Sequence, residues 1–115
     1  MHPEIAEILT DWTHKINEDE FYMARSFDRL IEEKSSSDAF DFIPDMIHAI
    51  LLTDDDFIAS QLVFYLNCLY GKADTTEIHP VFQETRSELE QHLIRLDGDD
   101  ARNEYKDLKR DLRLT

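Results

Sequence analysis

Apolar residues recur every three to four positions along most of the chain, and the gaps between these runs divide it into six helical stretches. The first is expected from about Pro3 to Ile16, with Ile5, Ile8, Leu9, Trp12 and Ile16 on one stripe. The second follows Asn17, which with Glu20 has the spacing of a capping box, and carries Phe21, Met23, Phe27, Leu30 and Ile31. The triplet Ser35-Ser36-Ser37 breaks the pattern. A third helix is expected from Asp41 to Thr53 and a fourth from Asp55 to Tyr70, where Gly71 suits a left-handed cap. The fifth spans about Glu77 to Leu96 and the sixth Asp100 to Leu112.

The third and fourth stretches are apolar almost all round, which places them in the middle of the domain. The fifth and sixth carry one apolar and one polar face and should pack on that central pair from outside. The pattern predicts an all-α fold, a compact bundle of about six helices in a single domain over residues 1–115. Pro3, Pro44 and Pro80, spaced by 41 and 36 residues, would each open a helical pair. That spacing admits three HEAT-like hairpins. The apolar positions of the three pairs match poorly, however, and prolines and acids are common at helix starts for electrostatic reasons alone.

Composition agrees with helices. Two glycines and three prolines are too few for the many tight turns of a sandwich or barrel. The single cysteine, Cys68, lies in the apolar run Leu66-Asn67-Cys68-Leu69-Tyr70, cannot form an internal disulfide, and reads as an inert buried thiol. The start Met1-His2-Pro3-Glu4 lacks the regions of a signal peptide, and the longest apolar stretch is far short of a membrane span. A cytoplasmic protein without membrane contact is expected.

The residues offer little for catalysis. His2, His14, His48, His79 and His92 are scattered, and no Glu stands three positions before a His as di-iron bundles require, so no metal and no cofactor are expected. The stretch Asp97-Gly98-Asp99-Asp100-Ala101-Arg102 begins like a calcium loop, but Ala101 and Arg102 occupy the positions that need an oxygen ligand and a glycine. Two glycines 27 residues apart cannot form a phosphate-binding loop. A non-enzyme is the expectation.

Charge is the distinctive feature. The net charge is −14, from 26 acids against 12 Lys and Arg, and it is unevenly spread. Residues 38–71 carry −6 with no base between Lys34 and Lys72, whereas residues 98–115 sum to zero. The basic-free window holds Asp38, Asp41, Asp45, Asp54, Asp55 and Asp56. Capping of helix starts accounts for some of these acids, and solubility alone is one reason for the excess. A cationic partner is the other, because an acidic surface speeds encounter with it and opposes wrong pairings. Nucleic acid is excluded as a direct partner, since gripping phosphates takes clustered Lys and Arg.

In size, acidity, helical pattern and the Asp54-Asp55-Asp56 run, the whole chain resembles a bacterial immunity protein, the antitoxin that neutralises a cognate toxin, including those of contact-dependent growth inhibition. The resemblance has no specific motif. It implies a tight one-to-one complex with a basic protein toxin, a nuclease domain above all, whose substrate-binding cations meet carboxylates of the inhibitor. The candidate partner-binding residues are Asp19, Glu20, Asp38, Asp41, Asp45, Asp54, Asp55 and Asp56, with an exposed aromatic such as Tyr22 or Tyr70 as anchor. The protein alone would be a monomer or weak dimer. The alternative is a helical adaptor or regulator that receives a partner's amphipathic helix in an apolar groove.

Overall fold

The computed structural model describes residues 1–114, and among them the regular secondary structure is all α-helix, in seven helices without a strand. These are α1 (Pro3–Leu9), α2 (Trp12–Glu18), α3 (Tyr22–Glu32), α4 (Ser36–Leu51), α5 (Asp56–Ala73), α6 (Pro80–Arg95) and α7 (Asp100–Asp111).

The count rises from six to seven because the first expected helix breaks in two. Thr10 hydrogen-bonds back to the Ala6 carbonyl at 2.8 Å, and Asp11 turns left-handed with φ of 53°. A short polar side chain lets aspartate adopt that conformation at low cost. The apolar stripe continues across the break, so periodicity alone conceals it. Asn17 and Glu20 form no capping box, since α2 runs on through Asn17 to Glu18. Asp19 makes the turn instead, its carboxylate accepting from the Phe21 amide at 3.1 Å.

Two other boundaries move for physical reasons. The serine triplet starts a helix and does not merely end one: Ser35 caps α4 by accepting from the Asp38 amide at 3.0 Å. Pro44 therefore lies inside α4 and not in its first turn. It has no N–H to give the Phe40 carbonyl, a loss offset by seven buried α4 side chains, among them Ile43, Met46 and Ile47. Gly71 is an ordinary helical residue on the surface. Asp74, with φ of 57°, supplies the left-handed cap three residues later.

The core is one contiguous cluster. α5 runs through its centre, with α4 on its inner side, α7 along one flank and α3 along the other. α4 and α5 are thus the central pair, as the all-round apolar pattern requires. The packing does not follow three successive hairpins, for α7 lies chiefly against α5 and touches α6 much less. No helix among the described residues is long and apolar enough to cross a membrane.

Candidate functional site

α4 presents its acids as a ridge. Asp38, Asp41, Asp45 and His48 follow one another at helical spacings of three and four, facing away from the buried residues of the same helix. The next residue on that line is Leu52, 62% exposed just past the helix end. Asp54 lies beyond it, also exposed. Among the described residues no ion pair reaches Asp38, Asp41, Asp45 or Asp54. Lys34, the nearest base in sequence, lays its ammonium 4.0 Å from the Phe42 ring centre instead.

Asp55 and Asp56 have structural duties. Asp55 caps α5, its Oδ1 accepting from the Ile58 amide at 2.9 Å. Asp56 reaches across the fold to the start of another helix. Its two oxygens accept from the Asp100 amide at 3.0 Å and the Ala101 amide at 3.2 Å, so it caps α7 from more than 40 positions away in the chain. His92 makes a second tie nearby, its Nε2 donating to the Thr53 carbonyl at 2.7 Å. Together these bonds hold the α4–α5 and α6–α7 connections side by side at one end of the molecule.

That end concentrates carboxylates. Asp54 of one connection and Asp97 of the other are exposed and unpaired among the described residues, while Asp99 pairs with Arg102. Gly98 makes the close approach possible. Its φ is 149°, and a β-carbon there would stand 2.8 Å from the Cγ of Asp56. The stretch from Asp97 to Asp99 is therefore a turn shaped around a carboxylate cap, and Asp100 to Arg102 open α7. Among the described residues no group of three His, Cys, Asp or Glu side chains is arranged to hold a metal ion.

The remaining candidate residues lie elsewhere. Asp19 is ion-paired with Arg25, and Glu20 is exposed in the turn before α3. Tyr22 is half-buried, its hydroxyl donating to the Ile8 carbonyl at 3.0 Å, so it fastens α3 to α1. Tyr70 is only 3% exposed, and its hydroxyl accepts from the His79 amide at 3.1 Å. Tyr70 is core and cannot be an exposed anchor. Cys68 is half-buried on the outer side of α5 and more accessible than its apolar neighbours imply. Burial raises its thiol pKa, and the carboxylates of Asp28 and Glu104 raise it further.

No protein-family model, curated protein or solved structure matches this chain.

Two features of the surface escaped the reading of the sequence. The first is Leu52, the exposed apolar residue that completes the α4 ridge. Its signal was available, for it stands in register with Asp38, Asp41 and Asp45 and out of register with the buried residues of α4. The second is the charge on α7. That helix holds four acids and four bases and sums to zero, yet Asp100, Glu104, Asp107 and Asp111 recur at spacings of four, three and four. They form one acidic stripe, with Arg102, Lys106 and Lys109 on the other side of the helix. Asp111 accepts from the Asn67 side chain of α5 at 2.8 Å, which turns the stripe toward the outer edge of α5.

Proposed function

We propose that the protein is an immunity protein, binding and neutralising a basic protein toxin, a nuclease domain, through the acidic ridge of α4 and the adjoining end loops. What carries the reading is the set Asp38, Asp41, Asp45 and Asp54, exposed or half-exposed carboxylates without an ion pair among the described residues. Asp38, Asp41 and Asp45 run along one ridge toward exposed Leu52, and Asp54 lies just beyond it. Uncompensated carboxylates steer a cationic partner, and an apolar residue among them excludes water once contact is made. Asp55 and Asp56 contribute to the local field while holding helix ends. Asp19 is already answered by Arg25 and stands outside the ridge.

The test is association with the cognate toxin, purified as its complex with this chain. Nuclease activity should vanish at one-to-one stoichiometry. The combined variant Asp41→Lys, Asp45→Lys and Asp54→Lys should slow association about tenfold or more at low salt and flatten its salt dependence. Asp55 and Asp56 must be left intact in that variant, because reversing a cap tests folding and not contact. Association rates that do not move, or a partner whose contact surface is not basic, would overturn the reading.

A second reading is favoured by one observation. The outer side of α5 exposes Phe57 and Phe64 at 41% and 44%, as an adaptor that receives a partner helix would.

A further inference from the structure

The exposed side of α5 is an unfilled helix position. Phe57, Gln61, Phe64, Cys68 and Gly71 follow one another at spacings of four, three, four and three, and every one of them is exposed or half-buried. They form one line along a helix whose other sides are packed. α3 bounds it on one side, where Phe27 stacks on Tyr65 with ring centres 4.6 Å apart. α7 bounds it on the other, through the Asn67 to Asp111 hydrogen bond. At its N-terminal end Trp12 stands 5.6 Å from Phe57, ring centre to ring centre. At its C-terminal end it runs past Gly71 into an open groove of about 670 Å³ that includes Asp74, Thr75 and Asp111. A β-carbon on Gly71 would meet nothing within 4 Å, so the groove begins in open space.

The borders of this line are acidic. Asp28 of α3 and Glu104 of α7 both lie close enough to Cys68 to disfavour its thiolate, so carboxylates flank the middle of the stripe from both sides. Neither has an ion pair among the described residues. The α7 stripe of Asp100, Glu104, Asp107 and Asp111 extends the negative border along the face, tempered where Arg110 reaches Asp107 and Asp111 and where exposed Lys72 follows Gly71.

We infer that this face seats a basic amphipathic helix of a partner protein, its apolar side on Phe57 and Phe64 and its Lys or Arg side chains against Asp28 and the α7 carboxylates. The inference rests on the adaptor reading and fixes both the surface and the charge of its partner. From Phe57 to Gly71 the stripe is about 21 Å long, which matches roughly four turns of the incoming helix. An apolar stripe with a helix on either side is a seat where one incoming helix can pack against α3, α5 and α7. The complementary charge on both borders selects a cationic helix over a neutral or acidic one.

The experiment uses the full chain and three synthetic helices of about 16 residues. The first has leucines on one face and lysines at its borders, the second has the same leucines with glutamines at the borders, and the third scrambles the first. Cys68 is the chain's single cysteine, so its maleimide labelling rate reports occupancy of the face. Amide shifts of the labelled protein locate the peptide. The lysine-bordered peptide should slow labelling about tenfold at saturation and shift the Gln61–Gly71 amides. It should also bind about tenfold more tightly than the glutamine-bordered one. Phe64→Ser should weaken binding about tenfold, and the double variant Asp28→Lys with Glu104→Lys should erase the preference for lysine. Equal binding of the lysine- and glutamine-bordered peptides would overturn this inference and leave the adaptor reading standing. Failure of both to protect Cys68 would remove both. Shifts confined to Asp54 and Asp97, protection by the scrambled peptide, or protection without peptide that follows self-association would each overturn the inference as well.

Discussion

α4 and α7 carry acids in similar numbers on similar lengths of helix, yet they advertise them differently. α4 has three aspartates and no Lys or Arg, so any count along the chain reveals its charge. α7 balances four acids with four bases, and its net charge hides a stripe as negative as the α4 ridge. The two also sit on different sides of the molecule, because α4 covers the inner side of α5 while α7 borders the outer one. A surface field depends on where charges fall around a helix, and a running sum along the sequence discards that angle.

The two helices differ as well in what aspartates do at their ends, and this gives the largest expected effect. Asp56→Ala should lower stability by about 2 kcal/mol, since it strands two backbone donors that open α7, whereas Asp41→Ala on the α4 ridge should stay within about 0.5 kcal/mol. Chemical denaturation of the two variants side by side would check this. Equal losses would mean that the free ridge is also structural and would erase the contrast.

A middle-sized effect concerns how α7 is seated. Tyr105 donates to Glu90 at 2.6 Å and Arg86 donates to the same carboxylate oxygen at 2.8 Å, joining α6 to α7. Burial pushes the Glu90 carboxyl up, but the hydrogen bonds of Tyr105 and Arg86, with the charges of Arg86 and Lys109, outweigh it and hold the pKa below its ordinary value of 4.5. A carboxyl with a lowered folded pKa stabilises the fold above its unfolded value, and that contribution is lost as pH falls through the folded one. Glu90→Gln should therefore cost about 1 kcal/mol near neutral pH and progressively less below about pH 4, as measured by denaturation at several pH values. A cost that stays constant with pH would show that the carboxylate's charge is immaterial.

The smallest effect sharpens the claim that α7 turns its acids toward α5. Asp28→Asn or Glu104→Gln should each speed alkylation of Cys68 at pH 8 by about twofold, because removing a nearby negative charge favours the thiolate. Asp41→Asn, on the far side, should leave the rate unchanged.

How far the sequence could be read follows from the range of the interactions involved. α6 and α7 begin close to where expected, since Pro80 and Asp100 are local signals beside their own helices. The central position of α4 and α5 follows from burial demand, which their composition states directly. The break at Asp11 and the cap at Asp74 rest on left-handed aspartates, a conformation the residue tolerates without announcing it. The service of Asp56 to α7 joins residues far apart in the chain, so no window around either could disclose it. Tyr70 is core against expectation because a tyrosine near a helix end looks like surface until its hydroxyl finds the His79 amide.

The long reach of Asp56 also bears on the order of events during synthesis. Isolated helices as short as α7 are marginal in water, and this one takes its N-terminal acceptor from the start of α5. Its first turn can be secured only after the connection before α5 has settled beside Gly98. A nascent chain thus keeps one flank of α5 bare until residues 100–111 have emerged, and that flank closes with the helix that carries the concealed charge.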